Sequence, residues 1–385
     1  MQPLPRLLAD LVAIPSVNPM GRPIDQPIYL EDRVTAYLEE CFRELHVPYE
    51  RQVVQPRREN IVATFEPAEP TCTLVWEVHQ DTVPVDAMTI DPFGGVIEGG
   101  RLYGRGACDV KGSMASMLTA FARLVRDKPR KAARVILACT VDEEHTFLGV
   151  QHLVKQGLKA DYAVVAEPTS LDIVDAHKGV VRWKVQTNGR ACHSSRPEDG
   201  INAIYHMGQV LHVIERYAEQ LRASRTIPRL GRPTLSVGRI EGGVSVNTVP
   251  DFSRIEIDRR LLPGEEPSVA HRQFVEMLAS APELRDRSYT VSEPWLSCPA
   301  LTPEGSDAFA RMLGESINRV KPSHQIRAVP FGTDASTIRN AGIPAVVFGP
   351  GDIAQAHTCD EWIDLTEVEQ ATEILVGLAM TIEIV

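Results

Sequence analysis

The sequence predicts an α/β protein: a mixed, mostly parallel sheet flanked by helices and interrupted by an inserted α+β unit. Three observations carry this. Strand-like and helix-like segments alternate through the first third of the chain, the pattern changes to half-buried strands after about residue 175, and the α/β alternation returns near residue 300. A length of 385 residues also exceeds what one ordinary core fills, so more than one domain is expected. The expected division is an α/β segment over 1–176, an inserted unit over 177–292 and a second α/β segment over 293–385.

Taken in order, residues 4–14 and 30–45 carry apolar residues at helical spacing, and NIVATF at 60–65 and CTLVWEVH at 72–79 read as strands. A helix is expected from Gly112 to about 126, a strand at 134–141 (RVILACTV), a helix near 147–156 and a strand at 162–166. GVVRWKVQT at 179–187 alternates as a half-buried strand does. A helix over 201–221, strands near 234–240 and 253–260, and a helix near 267–280 follow, an order of strand, helix, strand, strand, helix that suits a small ferredoxin-like unit. The last segment reads as helix 304–317, strand 325–330, helix 334–340, strand 345–348 and a final helix from about 366.

Composition narrows the function. Hydrophobic residues are 43% and charged residues 24%, ordinary for a globular chain. A formal net charge of -11 disfavours a general affinity for phosphate backbones, so nucleic acid is not an expected partner. The seven cysteines form no C-x-x-C pair and are odd in number, which argues for buried free thiols in a reducing cytoplasm over a disulfide framework or a cysteine zinc knuckle. The first 21 residues lack the basic start of a signal peptide, and no run approaches the roughly 18 apolar residues of a membrane span.

Five segments place His, Asp and Glu where strands end: VHQDTVP with His79 and Asp81, GRGACDVKG with Asp109, VDEEH with Glu143 and Glu144, AEPTS with Glu167, and GPGDIAQAHTCDE with His357. In an open α/β sheet, sites form beyond the carboxyl ends of strands. Each residue alone has an ordinary reading: a loop histidine, a solvated acidic face, or, for Asp109, a helix cap. Together at one rim they would repel unless positive charge sat among them. Two divalent cations supply that charge, and imidazole with carboxylate suits zinc, with cobalt or manganese as alternatives.

These motifs resemble those of the co-catalytic zinc amidohydrolase and metallopeptidase family that includes acetylornithine deacetylase, succinyl-diaminopimelate desuccinylase, aminoacylase and glutamate carboxypeptidase. The resemblance covers nearly the whole chain, rests on H-x-D-x-V-P at 79–84, G-R-G-x-x-D-x-K-G at 104–112, D-E-E at 142–144, E-P-T at 167–169 and G-P-G with A-H and D-E at 349–361, and is strongest to the acetylornithine deacetylase branch through EPTSLDIVDAHKG and DRRLLPGE. It implies a zinc exopeptidase-like fold with an inserted lid and dimerisation unit. Asp109 would bridge two metals, His79 and Glu167 would complete one site, and Glu144 and His357 the other. Glu143 would be the general base toward a metal-bound water, and Asp81 would orient His79. The Asp109–Val110 peptide is expected to be cis. His193, in HSSRP, would donate to the oxyanion. Arg260, or its neighbour Arg259, with Asn247, Lys178, Gly332 and Thr333, would bind the substrate. The implied enzyme is a cytoplasmic, homodimeric deacylase of small N-acyl-L-amino acids in amino-acid metabolism. A desuccinylase, dipeptidase or carboxypeptidase of the same family is the alternative, and a non-catalytic binding protein on the same scaffold is a remote one.

Overall fold

The computed structural model describes residues 2–384. The chain forms two compact units: one of Met1–Ala176, Thr302–Arg327 and Thr333–Val385, the other of His177–Leu301 and Ala328–Gly332.

In the first unit, α1 (Leu4–Ala13) and α2 (Asp32–Leu45) precede β1 (Tyr49–Gln55), β2 (Arg58–Phe65) and β3 (Glu69–His79). Two short strands, β4 (Val96–Glu98) and β5 (Arg101–Tyr103), lead to α3 (Gly112–Asp127), β6 (Lys131–Thr140), α4 (Leu148–Lys155), β7 (Tyr162–Val165) and β8 (Ile173–His177). Helix α1 buries Leu4, Leu7, Leu8, Leu11 and Val12, the one-sided stripe that helical spacing produces. Strand β3 is buried on both faces from Leu74 to His79, as a strand covered by helices on each side must be.

The second unit contains β9 (Gly179–Asn188), β10 (Cys192–His193), α5 (Ala203–Ser224), β11 (Thr234–Gly242), β12 (Thr248–Val249), β13 (Phe252–Leu261), α6 (Pro267–Ser280), β14 (Tyr289–Val291) and β15 (Leu296–Cys298). Its main sheet runs β11-β13-β9-β14, and the pairings that link these strands are antiparallel. Each strand–helix–strand segment leaves a gap that a strand of the other fills, the ferredoxin-like arrangement. Strand β13 alternates strictly: Ser253, Ile255, Ile257, Arg259 and Leu261 are buried, and the residues between them are partly open. Asn202 caps α5 by accepting from the Tyr205 amide at 3.1 Å. The unit runs past residue 292, to Leu301, because β15 hydrogen-bonds to β9 alongside β14.

The chain then adds α7 (Asp307–Asn318), β16 (Ile326–Val329), α8 (Ala335–Asn340), β17 (Ala345–Val347), β18 (Trp362–Asp364) and α9 (Leu365–Thr381). The central sheet of the first unit has the order β1-β2-β6-β3-β7-β17-β8-β16. Its middle, β6-β3-β7-β17, is parallel, whereas β1-β2, β2-β6 and β17-β8 pair antiparallel. Four neighbouring strands therefore end on the same edge, and the loops that leave them converge.

Candidate active site

Four of those loops carry the expected residues. His79 is the last residue of β3, Glu143 and Glu144 follow β6, Glu167 follows β7, and the loop after β17 runs on to His357. Asp109 lies in a wide turn, Ala107–Lys111, just before α3, and the Asp109–Val110 bond is cis. Asp109 does not cap that helix, whose first turn receives no side-chain cap.

Two ligand groups result. His79, Asp109 and Glu167 bring one donor atom each within 4.8 Å of one another, and so do Asp109, Glu144 and His357. Asp109 belongs to both, one oxygen to each: Oδ1 is 3.2 Å from His79 Nε2, and Oδ2 is 3.2 Å from His357 Nε2. His357 Nε2 is also 3.3 Å from Glu144 Oε1. Two ligands on one tetrahedral zinc, each about 2.0–2.1 Å from the ion, stand roughly 3.3 Å apart. The donor chemistry and the spacing therefore fit a pair of divalent ions sharing the Asp109 carboxylate.

The electrostatics ask for the same charge. Burial and the nearby Glu167 push the Glu143 carboxyl well above its usual range. Burial and Asp109 do the same to Glu167, and raise Glu144 to about 7. Burial opposes the charge on Asp109, yet His357 and His79 outweigh it and hold that carboxyl below its usual range. Burial likewise opposes a charged His357, but Asp109 and Glu144 raise it to about 11. In the absence of cations, protons must neutralise this cluster.

The Asp81 main chain, rather than its carboxylate, is the part at hydrogen-bond distance from the His79 ring. His79 Nδ1 lies 2.9 Å from the main-chain oxygen of Asp81 and 3.6 Å from its carboxylate. The carboxylate instead accepts the amides of Glu143 and Glu144, both at 3.1 Å, and Asn18 Nδ2 at 2.8 Å. It thus pins the dipeptide that carries the expected base and a ligand. Asn18 also donates to Asp142, and Arg58 joins Asp142 to Glu31 within the same buried network.

The remaining expected residues lie in the second unit, apart from Thr333. His193 and Asn247 sit on facing segments: β10 pairs with β12, and the Ser194 amide donates to Asn247 O at 3.0 Å. The Ser195 amide donates to His193 Nδ1 at 3.2 Å, and the Ser195 hydroxyl stands 2.8 Å from the same nitrogen. Arg259 is buried, donates to the Arg260 carbonyl and pairs with Glu265 at 2.6 Å. Arg260 lies on the open face of β13, held by Asp258 at 2.7 Å. Lys178 Nζ donates to Arg232 O at 2.6 Å, and a Cβ at Gly332 would lie 3.4 Å from Lys178 O. Thr333 is buried, and its hydroxyl oxygen accepts the Ala335 amide at the start of α8. Of the seven thiols, Cys359 is exposed and Cys192 half-buried, so packing accounts for five.

Sequence reasoning missed the supporting residues: Asn18, Glu31, Arg58, Arg105 and Glu361. Arg105 and Glu361 fall inside the G-R-G-x-x-D-x-K-G and D-E motifs, which could have pointed to them, whereas Asn18, Glu31 and Arg58 lie in no such motif.

Fold and ligand groups together define a hydrolase of the metallopeptidase type, and the sequence comparison is specific: Peptidase family M20/M25/M40 matches residues 75–381, and the chain belongs to it. An acetylornithine deacetylase from Myxococcus xanthus is 32% identical over 301 residues, 77% of each chain. The fold is shared with a metallo-carboxypeptidase from Sulfolobus solfataricus (TM-score 0.79, 19% identity, covering 99% of each chain). It is also shared with a dinuclear metal-binding peptidase from Bacillus subtilis (TM-score 0.68, 17% identity, covering 98% of this chain and 96% of that one).

Proposed function

We propose that this chain hydrolyses the amide bond of a small N-acyl-L-amino acid, as an acetylornithine deacetylase-like enzyme using two zinc ions. The observation that carries this reading is Asp109, whose two oxygens face two histidines from separate ligand groups. His79 and Glu167 would hold one ion, Glu144 and His357 the other. When bound, such a pair lowers the pKa of a shared water and polarises the acyl carbonyl. Glu143 belongs to neither ligand group, is buried among them, and is the proposed base that takes the water proton and returns it to the leaving amine.

His193, whose Nδ1 is engaged by Ser195, is the proposed oxyanion donor through Nε2. Arg260 is the proposed clamp for the substrate carboxylate, supported by its place on the open face of β13, where Arg259 is buried. Asn247, Lys178, Gly332 and Thr333 complete the proposed contacts. A cytoplasmic setting is proposed from the seven unpaired cysteines. A homodimer through the second unit is proposed from its exposed apolar rim, where Ile204, Tyr205, Val244 and Val246 line a cavity of about 870 Å³.

Elemental analysis of protein purified without added metal tests the metal pair; two equivalents of zinc are expected, and none would remove the reading. N-acetylornithine, N-succinyl-diaminopimelate, N-acyl aromatic amino acids and dipeptides, assayed side by side, test the substrate. Preference for dipeptides would move the assignment to the peptidase alternative. Binding without turnover would leave only a non-catalytic role.

A further inference from the structure

The buried carboxylate of Glu361 touches no ligand atom, yet it organises the turn that carries the bridging one. Its Oε2 accepts from Arg105 Nη1 at 2.7 Å and from the Gly106 amide at 3.0 Å. Its Oε1 accepts the amides of Cys108 at 2.8 Å and Asp109 at 2.9 Å. Its main-chain oxygen accepts the Gly104 amide at 3.0 Å. Arg105 in turn donates to Pro84 O at 3.3 Å and Thr358 O at 3.2 Å, so one ion pair ties together three ligand-bearing loops. The loop of Glu361 is anchored by β18, whose Trp362 pairs with Tyr103 of β5.

We infer that Glu361 is the positioning residue for the bridging carboxylate, holding the 105–109 turn so that Asp109 presents one oxygen to each histidine. This rests on the two-metal reading above. A carboxylate is the one side-chain group of this size able to accept at both ends. Glutamine would turn an NH₂ toward two donors and lose two of the four bonds. Aspartate keeps the charge but falls one methylene short. Neither change removes a metal ligand, so the effect passes through the placement of the ligand-bearing loops, first of all the Asp109 turn whose amides the carboxylate holds.

The test measures metal affinity and amide exchange, independently of turnover. Titration of the metal-free wild type with zinc first establishes two equivalents; failure at that step would defeat the two-metal reading without touching the clamp. For Glu361→Gln and Glu361→Asp with wild-type circular dichroism, affinity for at least one equivalent should fall roughly 10- to 100-fold. The visible spectrum of the cobalt-loaded protein should change as well. A folded variant that binds two equivalents like the wild type overturns the inference. Hydrogen exchange on the wild type decides the matter even if both variants fail to fold. In the metal-free protein, the 104–110 segment should exchange slowly at Gly106, Cys108 and Asp109. Exchange as fast as at the exposed 99–100 turn means the clamp does not form before metal, which also overturns it.

Discussion

Glu143 and Glu144 are adjacent in sequence and differ in what they face. Glu144 belongs to a ligand group with His357, and Glu143 does not, while one carboxylate, Asp81, fixes both their amides. Glu143→Ala should therefore lower kcat by about two to four orders of magnitude with both metals retained, as elemental analysis and single-turnover assays would show. Metal loss, or near-normal turnover, would reassign it. At this scale His79, Glu144 and Glu167 were legible because each ends or closely follows a strand whose apolar run announces it, whereas Asp109 and His357 lie in turns away from a strand end and were legible through the motifs around them. Glu361 stands in one of those motifs, but its role was not legible, because that role is made with main-chain amides some 250 residues away and amides leave no mark in a sequence.

Most elements could be read from periodicity, since α1, α3, α9 and the parallel strands bury one face or two. The three-residue strands β4, β5 and β18 escaped because three residues show no period and hydrogen-bond partners decide them. Strand β8 also escaped: IVDAH is too short and too polar to read as the buried strand it is. Its last residue, His177, is fully buried, and burial lowers its pKa to about 4. Below pH 6.5 the unfolded chain takes a proton that the folded one refuses. The stability it protects is thus complete above about pH 6.5 and lost as pH falls toward 4. Between pH 7 and 5 that loss is about 2 kcal/mol, and His177→Asn should flatten it in urea titrations at the two pH values. In the loop after β17, a Cβ on Gly349 would stand 2.5 Å from both Glu167 O and Ser113 Oγ. Gly349→Ala should cost about 1–3 kcal/mol in thermal unfolding and weaken the ligand group that contains Glu167 more than the other. Equal affinity for both equivalents would show that the loop yields without moving the ligand.

For the molecule as a whole, the exposed rim of the second unit sets the assembly prediction. Val244 and Val246 are 89% and 99% exposed, a poor surface for a lone chain in water. Sedimentation should give twice the chain's 42.5 kDa, and Val246→Asp should shift the particle toward the single-chain mass. A single-chain mass for the unaltered protein would refute the dimer. The sheet order also has a bearing on how the protein is made. Strand β17 sits between β7 and β8, which leave the ribosome some 170 to 180 residues earlier. During that interval the nascent first unit has a gap in its middle, whereas nearly all of the second unit is one continuous stretch able to close upon itself. His357 emerges later still, after every strand of the central sheet, so the group of Asp109 and Glu144 stays without its imidazole until all of those strands have been made.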